Sequence, residues 1–161
     1  MRRRPAVGHV DRVHSRCQSA DMIDIRPAGI DDVGPILTLW AEADTEPTVT
    51  DDEEALLALL TFSSDSLLIA VDGDEVVGSL IVGWDGWRGS FYRLAVSPEY
   101  RRRGIASSLV SDGERRLKTY GARRIAPFAI ADEQAAIAFW EAMGYVAQTN
   151  RQRLVKNLTK D

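Results

Sequence analysis

The sequence contains few of the residues on which many chemical sites depend. Its 161 residues include one cysteine, Cys17, and two histidines, His9 and His14. A single cysteine excludes an internal disulfide, and the sequence shows neither a Cys/His zinc pattern nor a thiol nucleophile with partners nearby. Because both histidines precede residue 22, the patterned part of the chain has no histidine general base. We expect no bound metal and a reducing, cytoplasmic environment.

Long apolar runs are also missing from the sequence. No segment of 18 or more apolar residues occurs, and the basic start is not followed by the apolar core of a secretory signal, so we expect no membrane association. Residues 1–21 are polar, basic and aperiodic, and we interpret them as a disordered extension. With 45% hydrophobic residues, the chain can bury the core of one domain, which we place at residues 22–161.

Lysine and arginine are scarce in one part of the chain. Residues 22–100 contain 3 of them against 16 aspartates and glutamates, whereas residues 101–161 contain 12 against 6. An anion would therefore prefer the second part and a cation the first. The net charge of −4 disfavours a dedicated nucleic-acid-binding protein.

Helical and strand patterns are interleaved along the chain, which predicts an α/β (α+β) fold. We expect a mixed, mostly antiparallel sheet of six to seven strands with helices on both faces. The predicted strands lie at about 22–26, 67–71, 76–82, 90–96, 123–130, 145–148 and 151–158. The predicted helices begin near residues 33, 51, 105 and 131.

Two of the predicted helices have specific sequence signals. The segment TDDE at 50–53 is a capping box, in which Thr50 would be the N-cap and Glu53 would reach back to it. The helix after Gly104 has an apolar stripe at helical spacing. We expect this stripe to face the core through Ile105, Leu109, Val110, Gly113 and Leu117.

The stretch YRRRGIASS, residues 100–108, places three arginines and a glycine directly before a helix. A helix N-terminus has unpaired amide hydrogens and partial positive charge, and Gly104 leaves room for an oxygen atom to approach. This pattern predicts a phosphate-binding loop, although a solvated turn can have the same composition. It is neither a P-loop nor a GxGxxG motif. The arginines are compact and precede acidic residues at 112–114, which disfavours nucleic acid.

Two blocks of the sequence resemble the GCN5-related N-acetyltransferases (GNAT family). LAVSPEYRRRGIASSLV at 94–110 is similar to the family's Arg/Gln-x-x-Gly-x-Gly/Ala motif, which binds the pyrophosphate of acetyl-CoA. AAIAFWEAMGY at 135–145 resembles the closing helix, N-x-x-A-x-x-F-Y-x-x-x-G-F. The resemblance covers residues 22–158, and the segment 84–106 is similar to small bacterial members.

The resemblance implies that two neighbouring parallel strands, at 90–96 and 123–130, splay apart around the pantetheine arm of acetyl-CoA. Backbone groups of Leu94, Ala95 and Val96 would bind the pantetheine or polarise the thioester. The implied phosphate loop consists of Arg101, Arg102, Arg103, Gly104, Ile105, Ala106 and Ser107. The closing helix adds three implied cofactor-binding positions, Glu133, Ala136 and Phe139.

The resemblance also implies direct attack of a neutral amine on the thioester, with backbone donors stabilising the oxyanion. Where many family members have a tyrosine that protonates the thiolate, this chain has Trp140, whose indole N–H is too weak an acid to do so. Trp140 is therefore either a hydrogen-bond donor to the sulfur or a core residue. Tyr92 is a candidate substitute, whereas we expect Tyr100 to anchor its loop and Tyr120 to end a helix.

The sequence leaves the general base open. Asp85 at a strand end, Glu46 after the first helix and Glu99 beside Pro98 are candidates, and each is also compatible with a solvated surface carboxylate. We name Asp85 with Tyr92 and Trp140 as the candidate catalytic residues. The acidity of residues 22–100 favours a cationic amine as the acceptor.

We therefore predict an acetyl-CoA-dependent N-acetyltransferase that acts on a primary amine of a small molecule or peptide. One alternative is an acetyltransferase for protein N-termini, such as those of ribosomal proteins. Another is an acyl-CoA-binding sensor without turnover, with which Trp140 is compatible. We expect no nucleic-acid partner, and a monomer or a homodimer.

Overall fold

The structure, a computed structural model, describes residues 22–159. Within them, five strands are interleaved with four α-helices. The strands are β1 (Asp24–Pro27), β2 (Leu67–Asp72), β3 (Glu75–Trp84), β4 (Gly89–Val96) and β5 (Ile125–Pro127). The helices are α1 (Val33–Glu42), α2 (Glu53–Phe62), α3 (Ile105–Thr119) and α4 (Gln134–Ala142). The predicted disordered extension, residues 1–21, lies outside the described residues.

The strands lie side by side in the order β1-β2-β3-β4-β5. The pairs β1–β2, β2–β3 and β3–β4 are antiparallel, and the pair β4–β5 is parallel. Parallel neighbours need a long crossover connection, which α3 provides between β4 and β5. This mixed, mostly antiparallel sheet confirms the predicted fold class.

Helices cover both faces of the sheet, as predicted. Leu67 and Ile69 of β2 belong to a buried cluster with α1 and α2, whereas Leu68 and Ala70 belong to a cluster with α3 and α4. Because alternate side chains of a strand point to opposite faces, the two helix pairs lie on opposite sides. None of the helices in residues 22–159 is long and apolar enough to cross a membrane.

The apolar stripe predicted for α3 is confirmed. Its buried residues are Ile105, Leu109, Val110, Gly113 and Leu117. At Gly113 a Cβ atom would lie 2.8 Å from Cε1 of Phe91 and 3.1 Å from Cδ2 of Leu80. α3 therefore packs directly on β3 and β4, and this close contact sets the position of its N-terminus.

The predicted hairpin at the end of the chain is wrong. Residues 145–148 and 151–158 form no strand, so the sheet within residues 22–159 has five strands rather than six or seven. The apolar residues of these two segments suggested strands, but Val146 and Leu154 are 85% and 90% exposed and bury no apolar surface against a sheet. β5 is also shorter than its predicted range of 123–130.

The N-cap predicted for α2 is wrong as well. Asp52 is the N-cap, and its Oδ1 accepts a hydrogen bond of 2.8 Å from the amide of Ala55. The Thr50 hydroxyl instead lies 3.1 Å from Oγ1 of Thr48. Aspartate and threonine both serve as N-caps, so the local pattern did not distinguish positions two residues apart.

Candidate active site

β4 and β5 separate after three paired positions. Their parallel pairing runs from Gly89–Ile125 to Phe91–Pro127. Pro127 has no amide hydrogen and cannot donate to a ladder, which accounts for its place at the end of the pairing. Beyond Phe91 that edge of β4 has no partner strand within residues 22–159, and a cleft of about 1220 Å³ lies beside it. The predicted splaying of the central strands is confirmed.

β4 has a bulge where it borders the cleft. Ser79 of β3 pairs with Ala95, but Ile81 pairs with Tyr92, so two residues of β4 lie opposite one residue of β3. Arg93 in the bulge has a φ of 53°, a left-handed conformation that is uncommon for residues other than glycine. A bulge leaves backbone groups outside the regular ladder and changes their direction locally.

The cleft extends to the N-terminus of α3, where Ala106 lines it. Gly104 is the N-cap, with a φ of 77°, and a Cβ atom there would have no other atom within 4 Å. No side chain caps the helix, and the amides of residues 102–107 donate no backbone hydrogen bond to the described part of the chain. These groups fit the chemistry of a phosphate, which needs several convergent donors and space beside them.

The loop that leads to α3 is fixed to the β2–β3 hairpin. The amide of Ser97 donates to the carbonyl oxygen of Val77 at 2.8 Å. The Tyr100 hydroxyl donates to Oδ2 of Asp72 at 2.8 Å, and this bond, followed by desolvation and the negative charges of Asp72 and Glu75, raises the pKa of Tyr100 to about 12. Tyr100 therefore anchors its loop, as expected from the sequence.

The three arginines of the loop have different environments. Arg101 lines the cleft, and its Nε lies 3.4 Å from the carbonyl oxygen of Val96. Arg103 lies over the ring of Tyr100, with 4.8 Å between its guanidinium carbon and the ring centroid. Arg102 is exposed and has a φ of 63°. Together they place positive charge around the helix tip.

Another part of the cleft wall comes from α4. The cleft-lining residues of α4 and its N-cap are Glu133, Ala136, Phe139 and Trp140. Trp140 is 8% exposed, and its ring contacts those of Phe91, Phe139 and Tyr145 at centroid distances of 6.2, 5.2 and 5.1 Å. These contacts favour core packing as the role of Trp140.

Tyr92 is more accessible than Trp140. It lines the cleft, is 39% exposed, and stacks on Phe128 with 5.4 Å between ring centroids. Its hydroxyl has no hydrogen-bond partner among residues 22–159. Tyr145 instead donates to Oε1 of Glu114 at 2.7 Å, and burial raises the pKa of Tyr145. Of these two tyrosines, only Tyr92 lines the cleft with an O–H that is not already bonded within residues 22–159.

The loop between α1 and α2 borders the cleft on its acidic side. Its cleft-lining residues are Ala43, Asp44, Thr45, Glu46, Thr48, Thr50 and Asp51. Asp51 forms an ion pair with Arg93. The carboxylates of Asp44 and Glu46 have no ion-pair or hydrogen-bond partner within the described residues. Two unneutralised carboxylates favour a cation in this part of the cleft.

Of the three candidate general bases, only Glu46 lines the cleft. Asp85 lies in the turn after β3, where its Oδ1 accepts hydrogen bonds from the amides of Trp87 and Arg88 at 2.8 and 2.7 Å. These two bonds lower the pKa of Asp85. Glu99 lies in a short 3₁₀ turn before α3. The structure therefore does not bring Asp85 or Glu99 to the cleft.

The structure brings most of the other predicted site residues together. Those that line the cleft are Tyr92, Leu94, Ala95, Val96, Arg101, Ala106, Glu133, Ala136, Phe139 and Trp140. The remaining loop positions do not themselves line the cleft but lie next in sequence to Arg101 and Ala106, which do; they are Arg102, Arg103, Gly104 and Ser107. Ile105 is 3% exposed and packs in the core, so only its backbone can contribute. In residues 22–159, no cluster of His, Cys, Asp or Glu could hold a metal ion.

A buried polar chain beneath the bulge was not predicted. The indole N–H of Trp40 donates to Oγ of Ser79 at 2.8 Å, and the Ser79 hydroxyl donates to the carbonyl oxygen of Arg93 at 2.9 Å. Ser79 is fully buried. Its one signal in the sequence is a serine inside the apolar segment VVGSLIVG, residues 76–83, but its partners depend on sheet register.

Comparison with known proteins identifies the family. The sequence matches the acetyltransferase (GNAT) family over residues 35–145, more than half of the chain. A Sodalis glossinidius protein named as an acetyltransferase is 36% identical over 139 residues, which cover 86% of this chain and 98% of that protein. A Pectobacterium atrosepticum protein, also named as an acetyltransferase, is 36% identical over 123 residues, which cover 76% of this chain and 87% of that protein.

Solved structures share the fold. PaiA N-acetyltransferase from Thermoplasma acidophilum, in complex with coenzyme A, has a TM-score of 0.70 and 17% identity, covering 79% of this chain and 91% of that chain. The NatC complex bound to Gag peptide and CoA has a TM-score of 0.69 and 24% identity, covering 79% of this chain and 86% of that chain. The family match, the bacterial relatives and the splayed sheet lead to one conclusion: this chain belongs to the GNAT family of acetyltransferases.

Proposed function

We propose that this chain transfers the acetyl group of acetyl-CoA to a primary amine of a small molecule or peptide. The observation that carries the proposal is the cleft beside β4, which begins after the Phe91–Pro127 pair and reaches the uncapped tip of α3. A pantetheine arm is linear and contains amide groups that can pair with a strand edge, and it ends in a diphosphate. The CoA bound to PaiA, which has the same fold, supports this assignment.

The groups around the cleft match the parts of acetyl-CoA. Backbone donors and acceptors at 94–96 suit the pantetheine amides, and the amides of 102–107 suit the diphosphate. Arg101 and its two neighbours add charge beside the phosphates. Ala136 and Phe139 provide an apolar wall along the arm.

The reaction is direct attack of the neutral amine nitrogen on the thioester carbon. The N–C bond forms while the C–S bond breaks, the nitrogen loses one proton, and the sulfur leaves as a thiolate that gains one. Backbone amides at the bulge around Arg93 would stabilise the negative charge on the carbonyl oxygen. Holding both substrates in one cleft increases the rate further, because the attack becomes effectively unimolecular.

For the departing thiolate, we assign proton donation to Tyr92 rather than Trp140. The Tyr92 hydroxyl faces no competing partner within residues 22–159, whereas Trp140 is held among three rings. A thiol pKa of about 8 to 9 makes the thiolate a tolerable leaving group near neutral pH. Tyr92 therefore assists the reaction without being indispensable to it.

The acceptor we propose is a cationic amine. Asp44 and Glu46 attract it to the cleft. The ammonium proton is lost to solvent before the attack, and Glu46, directly or through one water molecule, accepts the proton that the nitrogen loses as the N–C bond forms. The Gag peptide bound to NatC gives a reason to include peptides among the acceptors. A cytoplasmic location, with its supply of acetyl-CoA, is part of the same proposal.

The test is release of the CoA thiol from acetyl-CoA with a panel of amines. The panel pairs each diamine with a monoamine of equal length and includes peptides with free N-termini. We expect release to require both substrates and to increase with the positive charge of the acceptor. Equal rates across each pair would contradict the cationic acceptor. CoA binding by calorimetry without release for any amine would indicate a sensor, and absence of CoA binding would contradict both.

A further inference from the structure

Arg93 is held at its backbone by the interior of the protein. Its carbonyl oxygen accepts the hydrogen bond from Ser79, which in turn accepts one from the indole of Trp40. The φ of 53° at Arg93 is therefore maintained by a buried chain of hydrogen bonds rather than by a glycine. This fixes the bulge in β4 and the direction in which the Arg93 side chain leaves it.

The side chain of Arg93 extends to the loop between α1 and α2. Its Nη1 donates to the carbonyl oxygen of Glu46 at 3.0 Å, and its Nη2 donates to Oγ1 of Thr48 at 3.1 Å and to the carboxylate of Asp51. The guanidinium carbon also lies 5.2 Å from the ring centroid of Trp40. The same Asp51 carboxylate accepts the amide of Thr48 at 2.8 Å. We call this set of contacts the Arg93 clasp.

The clasp joins two walls of the cleft. Residues 92–96 line it on the β4 side, and residues 43–46, 48, 50 and 51 line it on the loop side. The side chains of Arg93 and Asp51 are only 16% and 14% exposed, so the ion pair is shielded more than an ordinary surface pair. A planar guanidinium has five N–H donors in a fixed arrangement and can bind these three acceptors at once. A lysine ammonium has three donors on a flexible stem and does not reproduce this arrangement.

We propose that Arg93 is a positioning residue that fixes the loop at 43–52 to the bulge in β4, and so sets where the acceptor amine lies relative to the thioester; this rests on the transferase activity proposed above. The contact at Glu46 is to its backbone carbonyl oxygen, so the clasp orients Glu46 while leaving its carboxylate for the acceptor. It also neutralises Asp51, which leaves Asp44 and Glu46 as the loop's acidic contacts.

The experiment compares the Asp51→Asn and Arg93→Lys variants with the wild type. Asn keeps the size of the side chain and its ability to accept from Thr48, but it removes the charge that binds Arg93. We expect KM for the best amine to rise roughly tenfold in Asp51→Asn, with kcat and the calorimetric affinity for CoA within about twofold of the wild type. Arg93→Lys keeps the charge with fewer donors, so its KM should fall between the two.

A second Arg–Asp pair provides the matched control. Arg26 and Asp32 form a forked pair, with Nη1–Oδ2 at 2.8 Å and Nη2–Oδ1 at 3.0 Å, and neither residue lines the cleft. Asp32→Asn removes the same charge from an Arg–Asp pair outside the cleft, in which the arginine is more exposed, 43% against 16% for Arg93. We expect it to leave KM for the amine unchanged even where it lowers the melting temperature. An equal rise in KM for both Asn variants would overturn the proposal, because loss of stability would then be the whole cause.

Amide hydrogen exchange of the free protein tests the role of Arg93 independently of the proposed activity, because the measurement needs no turnover. In Asp51→Asn we expect faster amide exchange both in the loop at 43–52 and in β4 at 92–96, with no change in α3. Faster exchange in the loop alone, with β4 unaffected, would contradict the coupling. If the wild type acetylates no amine but both segments respond together, the proposed function fails and the structural coupling stands.

Discussion

The side of the cleft that we assign to the cofactor and the side that we assign to the acceptor, called below the cofactor side and the acceptor side, are built in different ways. The cofactor side consists of the free edge of β4 and the tip of α3, and its donors are backbone groups. The acceptor side consists of the loop at 43–52, which the Arg93 side chain holds through Thr48, Asp51 and the backbone carbonyl of Glu46. Backbone groups persist through most substitutions, whereas side-chain contacts do not. One fold can therefore keep a single cosubstrate while the acceptor changes.

The largest effect should come from blocking the cofactor side at Gly104. We expect Gly104→Glu to weaken CoA binding by more than about a hundredfold, because it places a carboxylate where the diphosphate would meet the helix tip. Gly104→Ala is the control, since both variants strain the positive φ of 77° but alanine adds neither charge nor length. Calorimetry with CoA measures both. A similar CoA affinity for the two variants would contradict the proposal that this loop binds the diphosphate.

This contrast explains which half of the site the sequence could predict. The signals on the cofactor side are local: Gly104 directly precedes the apolar stripe of α3, and Pro127 lies where the strands part. Arg93 instead contacts Glu46 and Asp51, which lie 47 and 42 positions earlier in the chain. No periodicity connects residues so far apart, because their meeting depends on the bulge and on strand register.

The terminal hairpin and the catalytic role of Asp85 were likewise predicted from local features of the sequence. The strands at 145–148 and 151–158 were predicted from the residues of those segments alone, but pairing requires a neighbouring strand that local sequence does not reveal. The prediction of Asp85 as a catalytic residue used its place at the end of a strand. In the structure its carboxylate is occupied by the amides of Trp87 and Arg88 and lies outside the cleft.

On the acceptor side, the main expected effect is that of Glu46→Gln. We expect kcat/KM for a cationic amine to fall about tenfold, with CoA affinity unchanged, because the variant removes both an attractive charge and a proton acceptor. The effect is smaller than for a buried base because Glu46 is exposed. Glu99→Gln, outside the cleft, is the control and should match the wild type. A loss of CoA affinity in Glu46→Gln would mean that the two sides are not separable.

A smaller effect is expected at Tyr92, which borders both sides. We expect Tyr92→Phe to lower kcat by about threefold to fivefold, because the thiolate loses a donor but remains a tolerable leaving group. The ring and its contact with Phe128 are kept in this variant, so the amine KM should not change. Trp140→Phe is the comparison: we expect a lower melting temperature and little change in kcat. A larger loss of kcat in Trp140→Phe than in Tyr92→Phe would contradict Tyr92 as the proton donor and favour Trp140 as the residue that acts on the sulfur.

The smallest effect is expected away from both sides, at Asp32. The hydrogen bonds from Arg26 lower the pKa of Asp32, so the stabilisation is present above the ordinary carboxyl pKa of about 4 and is lost as pH falls through the lower, folded-state value. Because Arg26 is 43% exposed, Asp32→Asn should cost under about 1 kcal/mol at pH 7. Thermal unfolding from pH 7 to 3 should show the difference from the wild type shrinking with acidity. A difference that grows in acid would mean that the charged pair is not what stabilises this end of the sheet.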